Sequence, residues 1–440
     1  MRAAGAASVA CAVLLAAQAP FEQHLIGFLG ILALWTGVSL ALWKAARSSP
    51  GPAPDDARRG RLGLAVAALI RLPLVAVEPS PSTDAYRYSW EGRVGNAGGN
   101  PYRSAPEAPE LAWLRTPQDV RVNNPGLTTI YPPLALAAFR ATAAISGDVR
   151  ASKAFFSLVD LLCCALLLRL LRRRGLGPAW AALYAWHPLV AVEFSAAGHL
   201  DSLMTLGLLG GIDLWETERR DGAALAWAAA ALVKAVPVVI FPWLLLHRPR
   251  AALIFAASVV AGLLPTASDL ARAVAGLPGN GLAAFASDWL ANPSLYAAAS
   301  AVCGSAPTAR LASATAIFAF TAFWATRAGD DVARYLRGAV MLVLLVSPVV
   351  QPWYVLWVLP LALLSPNTAA LAWSWAVGFL YIVLDPALKA ASAGIPLWQW
   401  LWGAEYVLVF GLLAWGLRSR PDVTIRPEAG LMREEPPCAL

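Results

Sequence analysis

The chain has 440 residues, 58% of them hydrophobic and only 14% charged, and a mean hydropathy of +0.58. Repeated apolar runs of about twenty residues exclude a soluble globular fold and are too long for barrel strands, so an all-α polytopic membrane protein is expected. The net charge of +7 does not mark a nucleic-acid binder, because the arginines cluster in short loops between apolar runs, where they set orientation.

In chain order, residues 3–20 read as a first span acting as its own signal, although Ala17-Gln18-Ala19 also resembles a signal-peptide cleavage site. A second span covers 25–43. The linker from Lys44 to Arg61, with Arg47, Arg58 and Arg59 around a Pro/Gly-rich middle, is placed in the cytoplasm and closes an N-terminal region over 1–61. A span at 62–77 leads outward, so the long polar segment 78–150 emerges on the extracytoplasmic side. Within it, 128–146 is expected at the outer interface, because the span at 152–170 must end inside at Arg169, Arg172, Arg173 and Arg174.

Spans at 178–194 and 199–215 go out and back. Segment 222–247 has basic residues on both flanks, yet its length cannot supply two helices that each cross a core about 30 Å thick. With Lys234 and Pro237 in its middle, it reads either as a re-entrant hairpin, slightly favoured, or as one kinked span. Further spans are expected at 251–266, 310–326, 334–350, from Gln351 to Leu364, at 369–385 and at 398–416. The catalytic domain then runs over 62–418 with about twelve spans in all, and 419–440 reads as a disordered cytoplasmic tail. The five cysteines show no ligand spacing, so neither a disulfide framework nor a zinc site is implied.

Three places carry candidate chemistry. Thr83 is a helix N-cap and Gly98-Gly99 a stop; on the helix between them Asp84, Arg87, Tyr88 and Glu91 share one polar face. That face offers a base, a cation and a second acid, although an ordinary surface ion pair between Arg87 and Glu91 would look the same. Gly198-His199-Leu200-Asp201 sets two ionisable groups at the mouth of a span, which is costly unless they face a wet cavity. Lys234 inside an apolar segment would hold an anionic phosphate or a structural carboxylate. His24 and His187 read as helix-end residues.

Taken together, Asp84 with Tyr86 to Arg93, Gly99-Asn100-Pro101-Tyr102, Tyr131-Pro132-Pro133, Gly198 to Ser202, Leu232-Val233-Lys234 with Pro237, and Pro352-Trp353-Tyr354 with Trp357 and Pro360 resemble the bacterial polyprenol-phosphate-mannose-dependent mannosyltransferases. These are GT-C type membrane enzymes, distantly similar to the mannosyltransferase of GPI-anchor synthesis, and the resemblance spans roughly 62–416. The two apolar segments before residue 44 exceed the single span that usually precedes the acidic loop in such enzymes.

The resemblance implies inverting transfer of a hexose, expected to be mannose, from a polyprenyl phosphate to a hydroxyl of a glycolipid or glycan. The enzyme would sit in the bacterial inner membrane with its site facing the periplasm. Asp84 would be the general base. Arg87, Arg93 and Lys234 would meet the departing phosphate, and His199 and Asp201 the sugar or phosphate. Tyr88, Glu91, Asn100, Tyr102, Tyr131, Trp353 and Tyr354 complete the candidate substrate-binding set. No cofactor or metal cluster stands out, and a divalent ion at Asp84 and Asp201 has no motif behind it. A transporter or lipid-linked-sugar flippase is the rival reading; it calls for repeated halves and charges near the midplane of several spans, whereas the polar chemistry here gathers toward one face.

Overall fold

The structure, a computed structural model, describes residues 1–48, 56–276, 278–385 and 397–418. The expected C-terminal tail lies outside them. The described residues are helical, with no strand beyond an isolated bridge between Ala291 and Val349. In chain order the helices are α1 (Arg2–Ala16), α2 (Leu25–Ser48), α3 (Asp56–Ala76), α4 (Asp84–Asn96), α5 (Pro133–Ile145), α6 (Val149–Arg173), α7 (Pro178–Ala185), α8 (Pro188–Ala191), α9 (Asp201–Glu216), α10 (Arg220–Val233), α11 (Phe241–His247), α12 (Pro249–Leu263), α13 (Ala267–Val274), α14 (Gly281–Ser287), α15 (Leu295–Cys303), α16 (Ala306–Arg327), α17 (Val332–Val346), α18 (Pro352–Val355), α19 (Leu359–Leu364), α20 (Thr368–Ala376) and α21 (Leu397–Arg418). Four segments are long and apolar enough to cross a membrane by length and composition: Leu25–Ser48, Val149–Arg173, Pro249–Ala273 and Leu397–Arg418.

Polar contacts sort the bundle into two ends. At one end Arg173 meets Asp213 at 2.8 Å, Arg174 meets Glu216, Arg250 meets Asp221 at 2.7 Å, and Arg337 donates to the carbonyl of Ser365 at 2.8 Å. These are the segments that charge assigns to the inner side. At the other end Arg103 meets Asp269 at 2.7 Å, both within segments expected outside, and Ser294 of the expected outer loop donates at 2.8 Å to the carbonyl of Leu345, late in the span expected at 334–350. The arginine clusters thus identify elements that finish at the same level of the bundle.

The expected continuous span at 178–194 is interrupted. Pro188 lacks an N–H and restricts the residue before it, so His187 turns extended (φ −67°, ψ 129°) and its Nδ1 accepts from the N–H of Leu189 at 3.2 Å. Beyond α8 the chain widens into a π-helical turn over Val192–Ala197. The region expected as a hairpin also breaks. Helix α10 stops at Val233, Lys234 is extended (φ −157°, ψ 131°), and a 3₁₀ turn over Val236–Ile240 leads into α11. Trp243 of α11 then packs on Trp215, at the C-terminal end of α9, with ring centroids 4.8 Å apart. The chain therefore doubles back at Lys234, and Asp221 and Arg250, before and after the excursion, meet.

Candidate active site

Helix α4 begins and ends where the sequence places it, at Thr83 and before Gly98. It lies close against α5 because Gly92 has no side chain: a Cβ there would stand 2.2 Å from the carbonyl oxygen of Phe139. The polar face that might otherwise have been surface is buried under the 123–127 loop and Thr129. Arg87 and Glu91 pair at 3.0 Å with side chains only 6% and 2% exposed. Arg87 also donates to Asn123 Oδ1 and to the carbonyls of Asn123, Asn124 and Leu127. It staples the 123–127 loop across α4, and that loop delivers Asn123, whose Nδ2 donates to Asp84 Oδ1 at 2.5 Å.

Asp84 keeps its second oxygen for other work. Its side chain is 20% exposed, and Oδ2 lies 3.7 Å from Nδ1 of His199. Burial pushes this carboxyl above its ordinary range, while the Asn123 hydrogen bond and the charges of Lys234 and Arg87 pull against the shift. Burial likewise raises Glu91, opposed by Arg87 and by the Thr129 hydroxyl that donates to it at 2.7 Å.

Gly198 sets up His199. It closes the π-helical turn with φ +79°, and a Cβ there would sit 2.6 Å from Cγ of Lys153, so both conformation and space require glycine. The imidazole stacks on Trp353 with centroids 4.0 Å apart, and its Nδ1 is 3.4 Å from the Tyr88 hydroxyl. Two residues on, Asp201 Oδ1 accepts from Lys234 Nζ at 2.7 Å and from Trp357 Nε1 at 2.6 Å. The ammonium also lies 4.1 Å from the Tyr354 ring centroid and 4.7 Å from that of Trp357, a cation–π arrangement that tolerates a charge in an apolar surround. Lys234 is 20% exposed, whereas Asp201 is buried and its Oδ2 has no hydrogen bond.

The candidate residues fall into groups. Asp84, Tyr88, His199, Asp201, Lys234, Trp353 and Tyr354, drawn from segments as much as 270 residues apart in sequence order, are linked by direct contacts. Glu91, Asn100 and Tyr102 line a cavity of about 340 Å³ together with Arg140 and Asp269. Tyr131 joins the two: its ring stands 5.3 Å from that of Tyr88 and its carbonyl accepts from the Tyr102 hydroxyl at 2.7 Å. Arg87 is spent on the loop. Arg93 points elsewhere, to Asp119 and the carbonyl of Gly147. Among the described residues, no group of three or more His, Cys, Asp and Glu is arranged to hold a metal ion.

Reading the sequence missed Asn123, Glu193 and Tyr381. Glu193, on the π-helical turn, lies 3.4 Å from Nε2 of His199 and accepts from the Tyr381 hydroxyl. A lone acid in an apolar run was the signal that could have found it; Asn123 and Tyr381 carry none.

With this geometry in view, residues 3–250, more than half the chain, match the family model described as alpha-(1->6)-mannopyranosyltransferase, N-terminal domain. The chain belongs to this family. It is a GT-C type mannosyltransferase family, so the protein is a membrane mannosyltransferase, as the motifs suggested. No curated protein and no solved structure matches. The matched region holds α4, the His199–Asp201 turn and Lys234, while Trp353, Trp357 and Tyr381 lie beyond it.

Proposed function

We propose that this mannosyltransferase moves mannose from a polyprenyl phosphate to a hydroxyl of a glycolipid or glycan, at the extracytoplasmic face of the bacterial inner membrane. The observation that carries the reading is that a carboxylate, Asp84, and an ammonium, Lys234, each one-fifth exposed, are held by separate elements within one contiguous set of contacting side chains. Transfer needs both: a base for the acceptor proton and a cation for the phosphate that leaves. In this reading the acceptor oxygen gives its proton to Asp84 as it bonds to the anomeric carbon. The bond from that carbon to the phosphate oxygen breaks, and the phosphate departs with the electron pair toward Lys234.

The other residues take supporting parts. Asp201 and Trp357 hold the ammonium in place, and Trp353, backed by the buried His199, walls the sugar. Glu91, Asn100 and Tyr102 would receive the acceptor through the cavity they line. Arg87 orders the loop that steadies Asp84, so the phosphate relies on Lys234 instead. The fold is taken as about twelve spans with a re-entrant hairpin at 222–247. The reversal at Lys234 and the Asp221–Arg250 pair favour the hairpin over a single kinked span.

Membranes containing the protein are expected to transfer radiolabel from polyprenyl-phosphate-mannose to a product, and membranes with Asp84→Asn are not. Labelled transfer in that variant at the wild-type rate would remove Asp84 from the chemistry. Placement is tested by Ser82→Cys in a background without the native cysteines. An impermeant maleimide should label it in intact cells, and labelling only after the inner compartment is opened would overturn the outward-facing site.

A further inference from the structure

Glu193 occupies a position where a carboxylate is expensive. It is wholly buried in an apolar stretch, on a π-helical turn, a rare geometry that recurs at functional sites. Oε1 accepts from the Tyr381 hydroxyl. Oε2 faces Nε2 of His199 at 3.4 Å, and among the described residues neither atom has a hydrogen bond to anything else. Buried polar atoms almost always find partners. Two unsatisfied ones facing each other across a slightly long gap mark a bond that tightens in the working complex. On the opposite edge of the same ring, Nδ1 faces the Tyr88 hydroxyl and Asp84 Oδ2. The remaining charged neighbours are Asp201 and the Lys234 that it holds.

We propose that Glu193 is a positioning residue that keeps the ring proton of His199 on Nε2, so that the Nδ1 lone pair faces Asp84. The inference rests on Asp84 being the base. The hydrogen bond at one imidazole nitrogen decides the state of the other. After the acceptor proton has passed to Asp84 Oδ2, it moves on to His199 Nδ1 and Asp84 returns to a carboxylate. The imidazolium donates its Nε2–H to one oxygen of Glu193, while Tyr381 holds the other. Stacking on Trp353 fixes the ring plane in which both transfers occur.

Glu193→Gln tests this with almost no change in shape. The amide keeps an acceptor for Tyr381 but presents an NH₂ to Nε2, which drives the ring proton onto Nδ1 and removes the lone pair. With the full-length protein and polyprenyl-phosphate-mannose, kcat should fall about 100-fold, the lower range for a positioned acid–base partner. The KM for the donor should hold, because Glu193 is wholly buried. In a His199→Ala background the same change should add no further loss. Tyr381→Phe, which removes a single hydroxyl, guards against misfolding of the first variant; its loss of kcat should be under about tenfold and should also vanish in the His199→Ala background. Wild-type kcat in Glu193→Gln, or losses that multiply with that of His199→Ala, would overturn the proposal. A wild-type protein inactive with this donor would instead overturn the proposed function, so the two failures are distinguishable.

Discussion

Two buried ionic clusters sit in the same bundle, and they are built on opposite principles. In the first, Arg71 of α3 meets Asp160 of α6 through Nε at 2.7 Å and through Nη2, donates from Nη1 to the carbonyls of Ala67 and Ala185, and has Cys164 Sγ within 3.5 Å; Tyr184 donates to the other oxygen of Asp160 at 2.8 Å. Side-chain exposures are 2% and 0%, and every polar atom has a partner. In the second, Asp84 and Lys234 are each one-fifth exposed, while Asp201 Oδ2, Glu193 Oε2 and His199 Nε2 are left without hydrogen bonds. A saturated pair has nothing left to offer a substrate, so it serves to hold three helices together. An unsaturated one holds capacity in reserve, which is what the proposed transfer, with its proton and its departing phosphate, requires.

Breaking the second cluster should therefore abolish chemistry and leave the fold. Asp84→Asn removes the proposed proton acceptor and is expected to lower kcat by about 10²–10⁴-fold, the range for a positioned base, with unchanged thermal unfolding in detergent. Lys234→Met keeps the length of the side chain and removes its charge. It should cost about 10²–10³ in kcat, comparable to losing one donor to a developing anion. Part of that loss comes from leaving Asp201 buried without its ammonium. Joint replacement with Asp201→Asn should restore expression more than activity.

Breaking the first cluster should do the reverse. Arg71→Met strands Asp160 in an apolar interior and should destabilise the protein by about 3–5 kcal/mol, read as a lowered unfolding midpoint, while turnover per folded molecule persists. Replacing both partners, Arg71→Met with Asp160→Leu, should recover most of that stability, because a packed apolar pair avoids the desolvation of two charges. A double variant that is stable but inactive would blur the contrast between the clusters and bring Arg71 into the catalytic machinery.

The sequence made the second cluster legible and hid the first for a physical reason. Asp84, His199, Asp201 and Lys234 stand out because each is an ionisable group beside or within an apolar run, where lipid makes it costly. Arg71 and Asp160 satisfy the same criterion, yet 89 residues separate them and neither sits in a turn or a motif. Only the packing of α3 on α6 shows that they neutralise each other. The arginine clusters foretold which elements share an end of the bundle, since orientation follows local charge. The interruption at His187 was written in Pro188, but apolar character masked it. Arg87 and Glu91 look like a surface pair until the 123–127 loop and Thr129 are seen to close over them.

The smallest effect should fall on the pH dependence, and it sharpens the comparison because only an unsaturated carboxylate titrates in use. Burial raises Asp84 above its ordinary value of 3.8, against the pull of Asn123, Lys234 and Arg87. As the proposed base, Asp84 works only when ionised, so activity should fall as pH is lowered through a value higher than that of an exposed aspartate. Asn123→Ala removes a donor that favours the ionised form, so Asp84 should hold its proton more tightly and the acid limb should move to higher pH. Arg87 retains the backbone carbonyls of residues 123, 124 and 127, so the loop should stay in place and the plateau rate should change little. The loss on the acid side should be no more than about tenfold, the scale of one hydrogen bond to a charged group. An acid limb that moves to lower pH would mean that Asn123 opposes ionisation, and an unmoved limb would mean that the titrating group is not Asp84.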